Sequence, residues 1–321
     1  MKKKLIKIQF KTGDKMSEKK SIFKNSLVVM LTALLCCALW GSATPFIKTG
    51  YELILPWRGT ASTILFAGLR FTLAGIITVA IYSTGRKKLL YPKKENIGII
   101  ALIASFQTVL QYIFFYIGLA NTSGVKGTIA SGSSAFFALL VAGLFFKMEK
   151  ITFKKLFACV IGFAGIVLVN LDGLDLKMNF FGDGFVIFSS VASATSSVFI
   201  KKYSNTEDPV VISGYQFFMG GLVMIAIGLL SGGHIQLPDL KAALVLIYLA
   251  FLSAVAYSLW GVLLKHNSVS KVSIYSFMTP VFGVVLSNIM LSEAGLVSPV
   301  NMVCAMCLVS LGIFMLNYKK E

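Results

Sequence analysis

The sequence predicts an all-α integral membrane protein whose ten transmembrane helices form two inverted five-helix repeats. Three observations lead there: ten apolar runs of spanning length, a positive charge excess confined to one side of the resulting ladder, and a second half that can be laid on the first. Of 321 residues, 56% are apolar and 13% charged, against about 25% charged in an average soluble domain. So few charges cannot keep a chain of this length in water.

The first 25 residues hold nine lysines and little periodicity, and read as a basic cytoplasmic tail. The apolar run that opens at Leu27 is too long for the core of a cleaved signal peptide. A bilayer core takes about 20 predominantly apolar residues per helix, and runs of that kind fall at 26–47, 62–83, 97–118, 124–146, 152–170, 184–203, 209–231, 242–264, 272–291 and 297–317. The corresponding divisions are a tail over 1–25, a first repeat over 26–170, an external linker over 171–182, a second repeat over 183–317 and a cytoplasmic end over 318–321. Cys36, Cys37, Cys159, Cys304 and Cys307 all lie inside apolar runs, too scattered for a disulfide framework. Cys304 and Cys307 have metal-site spacing but neither a charged neighbour nor a second ligand pair, so they read as inert.

A net charge of +17 raises the question of nucleic acid, but the basic residues sit between the apolar runs, where they report topology. An even number of spans puts both termini on one side. With that side cytoplasmic, it receives the tail, Arg86 to Lys94, Lys147 to Lys155, Lys201, Lys202, Lys265, Lys271, Lys319 and Lys320. Only Lys48, Arg58, Arg70, Lys126, Lys177 and Lys241 lie elsewhere, matched in number by acids, so the whole net charge falls on the cytoplasmic side. The expected location is the cell membrane, multi-pass, with both termini inside.

The repeats align directly. At an offset of 145, Ser123-Gly-Val-Lys126 falls on Ser268-Val-Ser-Lys271, Ser131 on Ser276, Phe137 on Phe282 and Tyr112 on Tyr257. Arg70-Phe71 falls on Gln216-Phe217 and Gly75 on Gly221; Phe46-Ile-Lys48 falls on Phe199-Ile-Lys201; Gly165 to Asn170 falls on Gly312 to Asn317. Five spans per copy is odd, so the second copy enters the membrane inverted, the arrangement from which alternating-access carriers are built.

Leu39-Trp-Gly-Ser42, Ala67-Gly-Leu-Arg-Phe71, Tyr257-Ser-Leu-Trp260, Met278-Thr-Pro-Val-Phe282 and the closing Glu293 resemble the drug/metabolite transporter superfamily, specifically its EamA-like branch, over residues 26–317. The resemblance implies ten helices in two inverted repeats around a central cavity, and transport of small metabolites, often amino acids or related compounds. One departure stands out. Where the ninth span has Pro280, the fourth has Ala135, so a proline-dependent break is not expected in the first repeat.

Polar groups inside spans mark the pathway, because hydrocarbon penalises them unless they face the bundle interior or water. The candidate substrate-binding residues are Trp40, Ser42, Arg70, Gln107, Gln111, Tyr112, Lys126, Ser131, Ser134, Gln216, Tyr257, Trp260, Lys271, Ser276 and Pro280. Ser131, Ser134, Ser276 and Pro280 belong to small-residue helix faces that serve either close packing or substrate contact. Gln107 and Gln111 share one helix face, the former suited to interhelical bonding and the latter to a ligand. Trp40 and Trp260 either wall the cavity or anchor helices at the interface. Arg70 is the fixed charge deepest in a span, which costs on the order of 3 kcal/mol; helix carbonyl ends, water, an anionic substrate group or snorkelling to the interface would compensate it. Lys126 and Lys271 begin the fourth and ninth spans, against the macrodipole; they either serve structure, Lys271 through the positive-inside rule and both by snorkelling to the interface, or draw a carboxylate or phosphate to each mouth.

No acid lies mid-span, and His234 and His266 sit at loop edges. Facilitated diffusion or exchange is therefore favoured over tight proton coupling, while a sodium site of unwound carbonyls stays open. Glu149 and Glu293 close the fourth and ninth spans in pseudo-equivalent places and read as helix-end structure. The spans hold no convergent acid/base set, metal constellation or activated nucleophile, so an enzyme is not expected and no cofactor is called for. The expected function is a membrane carrier moving a small polar metabolite, an amino acid or a related anion or zwitterion, by alternating access; a channel or a non-catalytic membrane protein is the alternative. Its partners are the substrate and membrane lipid, with no nucleic acid, and the sequence assigns no oligomeric state.

The charge distribution makes a topological prediction. Cysteines introduced at Lys88 and Asp175 should react with an impermeant maleimide from opposite sides of the membrane. Labelling of both from outside would overturn the ten-span arrangement.

Overall fold

The computed structural model describes residues 22–56, 59–171, 177–291 and 299–317. Residues 1–21 of the basic tail, Arg58, residues 172–176 of the 171–182 linker, Glu293 and the last four residues lie outside them. Every long element described is helical: α1 Ser26–Ile54, α2 Thr60–Gly85, α3 Lys94–Ala120, α4 Val125–Phe145, α5 Phe153–Val169, α6 Phe180–Tyr203, α7 Pro209–Leu230, α8 Leu240–His266, α9 Val269–Ser287 and α10 Val300–Asn317. Among the described residues nine of these are long and apolar enough to cross a membrane. The other, α5, has 17 residues.

The helices start where capping chemistry tells them to. Asn25, Ser123, Thr152, Asp208 and Asp239 each accept a first-turn amide with the side chain, satisfying donors that otherwise have no partner. Hydropathy alone places some ends too early or too late. Helix α1 continues seven residues past the predicted 47, and α6 opens at Phe180 rather than 184 with a π-turn over Phe180–Gly184 whose carboxylate, Asp183, bonds back to Asn179 N.

Packing is led by glycine. A Cβ on Gly75 would stand 2.6 Å from the carbonyl oxygen of Gly214, and one on Gly68 would stand 3.0 Å from that of Gly221. Pairing 75 with 214 and 68 with 221 makes α2 and α7 antiparallel, with Phe71 stacked on Phe217 between the contacts at 5.2 Å. Helices α5 and α10 repeat the device: Cβ atoms on Gly165 and Gly312 would meet the carbonyls of Ala305 and Ala158 at 2.9 and 2.7 Å. Small residues let helix backbones approach where lipid tails are as apolar as the side chains. The remaining contacts follow one pattern, α1 lying against α8 and α9, and α6 against α3 and α4.

Two helices are broken near their middles. Helix α4 is interrupted at Ser133, and α9 tightens to 3-10 geometry over Ile274–Phe277. The second break lies just before Pro280, which cannot donate to the carbonyl four residues back. The first has no proline, so the fourth helix is broken without one; it follows Gly132, and the hydroxyl of Ser133 bonds the carbonyl of Ala130. Helix α3 carries a π-turn over Ser105–Leu110, and such turns recur at functional sites.

Alanine normally favours a helix over glycine by about 1 kcal/mol. Gly75→Ala should nevertheless lower the unfolding temperature in detergent, because overpacking costs about 1–3 kcal/mol, whereas Gly98→Ala, with open space around it, should not. Equal stability of Gly75→Ala and wild type would contradict the close crossing.

Candidate functional site

The antiparallel crossing puts aromatic rings of both halves at the centre. Tyr257 lies edge-on to Phe217 at 4.9 Å, Phe217 stacks on Phe71, and Phe71 lies 4.4 Å from Tyr112. A hydrogen bond of 2.8 Å between the hydroxyls of Tyr112 and Tyr257 closes the circuit. Trp40 stands over one side, its ring 5.0 Å from Tyr257 and 4.9 Å from Trp260. Edge-on contacts of this kind each add about 0.5–1.5 kcal/mol beyond burial, so the cluster is stiff.

Arg70 lies on the next residue of α2 and is 2% exposed. Its Nε and Nη2 donate to Ser253 Oγ at 3.2 and 2.9 Å, and its guanidinium carbon lies 5.0 Å from the centre of the Phe71 ring. Neither snorkelling nor a helix carbonyl end compensates it. One hydroxyl and a ring face do, with Tyr51 and Tyr116 within its electrostatic reach. A guanidinium has five N–H donors, and a single hydroxyl uses few of them. Four predicted side chains also keep unpartnered polar atoms: Trp40 Nε1, in the aromatic cluster, Gln111 Oε1, Gln107 Oε1 and Gln216 Nε2 are buried without a hydrogen bond. Buried polar atoms are usually paired, and each exception calls for an explanation.

The other predicted residues lie apart. Gln216 accepts a 2.6 Å bond from Thr108 on α3. Ser42 pairs with Tyr248 at 2.8 Å. Ser131 and Ser276 bond carbonyls of their own helices, Gly127 at 2.7 Å and Ser273 at 2.7 Å, and Ser134 and Pro280 stand just beyond the two helix breaks.

At the two lysines the chain supplies its own anions. Lys126 Nζ lies 3.3 Å from Asp183 Oδ2 and donates to Lys177 O at 2.6 Å, while Thr122 and the Asn179 amide also bond Asp183. Beside Lys271, Glu149 accepts from both the amide and the hydroxyl of Ser270, the amide at 2.9 Å, and is paired with Lys155. An anion does sit at each helix start, as dipole and ammonium favour: Asp183 ties α4 to α6, and Glu149 ties the loop after α4 to the start of α9. In both places a carboxylate far away in sequence folds onto the helix start.

Phe71 and Phe217 were legible as a repeat pair but carried no polar signal. Ser253, Asp183 and the Glu149 clasp had none that sequence reasoning could use, because each partner is more than fifty residues away.

Comparison with known proteins bears on this arrangement. The family model described as the EamA-like transporter family matches twice, over residues 27–171 and 180–318. A protein of Archaeoglobus fulgidus named an uncharacterized transporter is 23% identical over 92% of this chain and 100% of its own length. The uncharacterized transporter YvbV of Bacillus subtilis is 26% identical over 85% and 90%. A chloroplastic WAT1-related protein of Arabidopsis thaliana is 25% identical over 79% of this chain, which spans 61% of that protein. A crystal structure of 15% identity superposes with a TM-score of 0.72, covering 91% of this chain and 96% of the other, and shares the fold.

The ion pair makes a prediction. Asp183 and Lys126 side chains are 4% and 13% exposed, and removing one partner of a buried pair costs about 3–5 kcal/mol. Lys126→Gln should lose most of that stability in thermal unfolding, and Lys126→Gln with Asp183→Asn should recover it. A single variant as stable as wild type would remove the clasp from the account.

Proposed function

We propose that this chain, which belongs to the EamA-like transporter family, is a carrier that moves a small polar metabolite bearing a carboxylate or similar anionic group through the centre of the bundle. The reading rests above all on Arg70, a buried cation with spare donors beside an aromatic cluster and unpartnered polar atoms. In this reading Arg70 takes the anionic group, Trp40 Nε1 and Gln111 Oε1 orient the remainder, and Tyr112, Tyr257 and Trp260 form the wall. An amino acid or a related zwitterion has both groups that such a site would hold.

The carrier has ten spans, α5 being the tenth, arranged as two inverted repeats over 26–170 and 183–317. Two family matches of similar length support the duplication. Antiparallel contacts that exchange equivalent glycines, 68 with 221 and 75 with 214, support the inversion, since a two-fold axis makes residue i meet j while j meets i. Both termini face the cytoplasm of a cell-membrane protein, as the sidedness of charge requires. The described conformation is closed on the cytoplasmic side, where the second half of α4 meets the start of α9 and Glu149 bonds Ser270. Transport is by alternating access, as facilitated diffusion or exchange, because no carboxylate lies mid-span to carry a coupled proton.

Proteoliposomes should show saturable counterflow of a metabolite identified by thermal-shift screening of a panel, and should do so without a proton gradient. Arg70→Gln should raise the apparent KM for a carboxylate substrate about tenfold to a hundredfold, since hydrogen bonds to a charged group are worth about 1.5–3 kcal/mol. Non-saturable flux would indicate a channel, chemical conversion an enzyme, and loss of counterflow on collapsing a proton gradient would refute the uncoupled mechanism.

A further inference from the structure

The two broken helices are held at their breaks by donors from two other helices, and the donors are equivalent. In α9 the amide of Met278 turns back three residues to Tyr275 O, and the thiol of Cys37 on α1 donates to that same oxygen at 3.1 Å. In α4 the amide of Ser133 turns back three residues to Ala130 O at 3.1 Å, and the hydroxyl of Ser190 on α6 donates to that same oxygen at 3.1 Å, shared with Ser131 O at 3.4 Å. The offset of 145 that aligns α4 with α9 carries Ala130 onto Tyr275 and Ser133 onto Met278. The offset of 153 that aligns α1 with α6 carries Cys37 onto Ser190. Two separate alignments thus deliver donor and acceptor to the same place in both halves. Cys37 is fully buried and Ser190 is 4% exposed.

We infer that Cys37 and Ser190 are matched positioning residues for transport, each setting the bend of one broken helix by capping its break carbonyl from across the bundle. Each break carbonyl accepts one backbone amide and keeps a second lone pair, for which hydrocarbon supplies no water, so a donor from across the bundle adds the bond that holds the bend. The strengths of the caps are complementary. A thiol is a weak donor and a hydroxyl a stronger one. The weak cap serves α9, which Pro280 already obliges to bend. The strong one serves α4, which has Ala135 in place of a proline and bends through Gly132 with Ser133 bonding the same carbonyl. The hydrogen bonds of both residues go to the break carbonyls and not to Arg70, so they act through the angle of α4 and α9, the helices that meet beside Glu149. The inference rests on the alternating-access reading for its link to transport, but the capping itself can be measured without any substrate.

The test uses the full chain in nanodiscs with Cys304 and Cys307 replaced by serine, spin labels at Val125 on α4 and at Ile289 on the last turn of the helix that continues α9 to Leu291, and pulsed dipolar spectroscopy. Ser190→Ala should broaden or shift the distance distribution by several ångströms, and Cys37→Ala should do so less, since Pro280 remains. Cys37→Ser and Ser190→Cys, which keep a donor, should retain the wild-type distribution. In proteoliposomes the alanine variants should change the counterflow rate at least threefold with an unchanged KM, and the donor-keeping variants should not. If an alanine variant fails to fold, hydrogen exchange across 129–134 and 274–279 in the donor-keeping pair decides: protection equal to wild type supports capping, and loss of it refutes capping. Alanine variants with wild-type distances and rates would overturn the inference, as would equal disturbance by alanine and donor-keeping variants, which would mean that volume matters and the hydrogen bond does not. Absence of counterflow in wild type, with the distance shifts present, would instead strike the transport reading and leave the capping intact.

Discussion

Hydrocarbon supplies no hydrogen-bond partner, and that constraint explains more of this protein than any single contact. Regular helix satisfies the backbone internally. At the two breaks a side chain arrives with a donor: Ser133 and Ser190 at the break in α4, and Cys37 at the break in α9. The same rule governs side chains. Arg70 is buried but held by Ser253 and the Phe71 face, and Asp183 is enclosed by Lys126, Thr122 and an amide. Against that background the orphaned atoms of Trp40 and Gln111 mark the centre as the place where the protein leaves polar chemistry unfinished.

Glycine sets the geometry on which this chemistry is arranged. The α2 and α7 backbones approach closely at Gly68, Gly75, Gly214 and Gly221, and that approach brings Phe71 and Phe217 into a parallel stack at 5.2 Å. With the rings fixed, the adjacent Arg70 is fixed too, and Tyr112 and Tyr257 are brought near enough to share a hydrogen bond. Loss of one small residue would therefore act on the site from a distance. Placement of the polar side chains and scaffold packing are here a single problem, because Arg70 and Phe71 lie on the same helix between Gly68 and Gly75.

The charged ends play a different part from the one that lysines at helix starts suggest. Lys126 with Asp183 ties α4 to α6, and Glu149 with Ser270 ties the loop after α4 to the start of α9. Each is a local clasp formed where a helix end must find a partner, and each uses an anion of the chain in the position that an external anion would otherwise favour. Helix α4 is thus held at its start, followed by a loop that is held in turn, and bent in its middle.

The amino-acid sequence alone determined the class, an all-helical multi-pass membrane protein, and its family, because these depend on quantities that add along the chain: apolar length and the recurrence of short motifs in order. It also marked Arg70, Trp40, Gln111, Tyr112 and Tyr257, since a polar or aromatic residue in an apolar run stands out by itself. Tertiary structure alone decided what each of these faces. Ser253 as the partner of Arg70, Asp183 as the partner of Lys126, and Cys37 and Ser190 over Tyr275 and Ala130 are contacts between residues far apart in the chain. Helix rotation and crossing depth select them, and a serine inside an apolar run looks the same whether it caps its own helix, as Ser276 does, or reaches across to another, as Ser190 does.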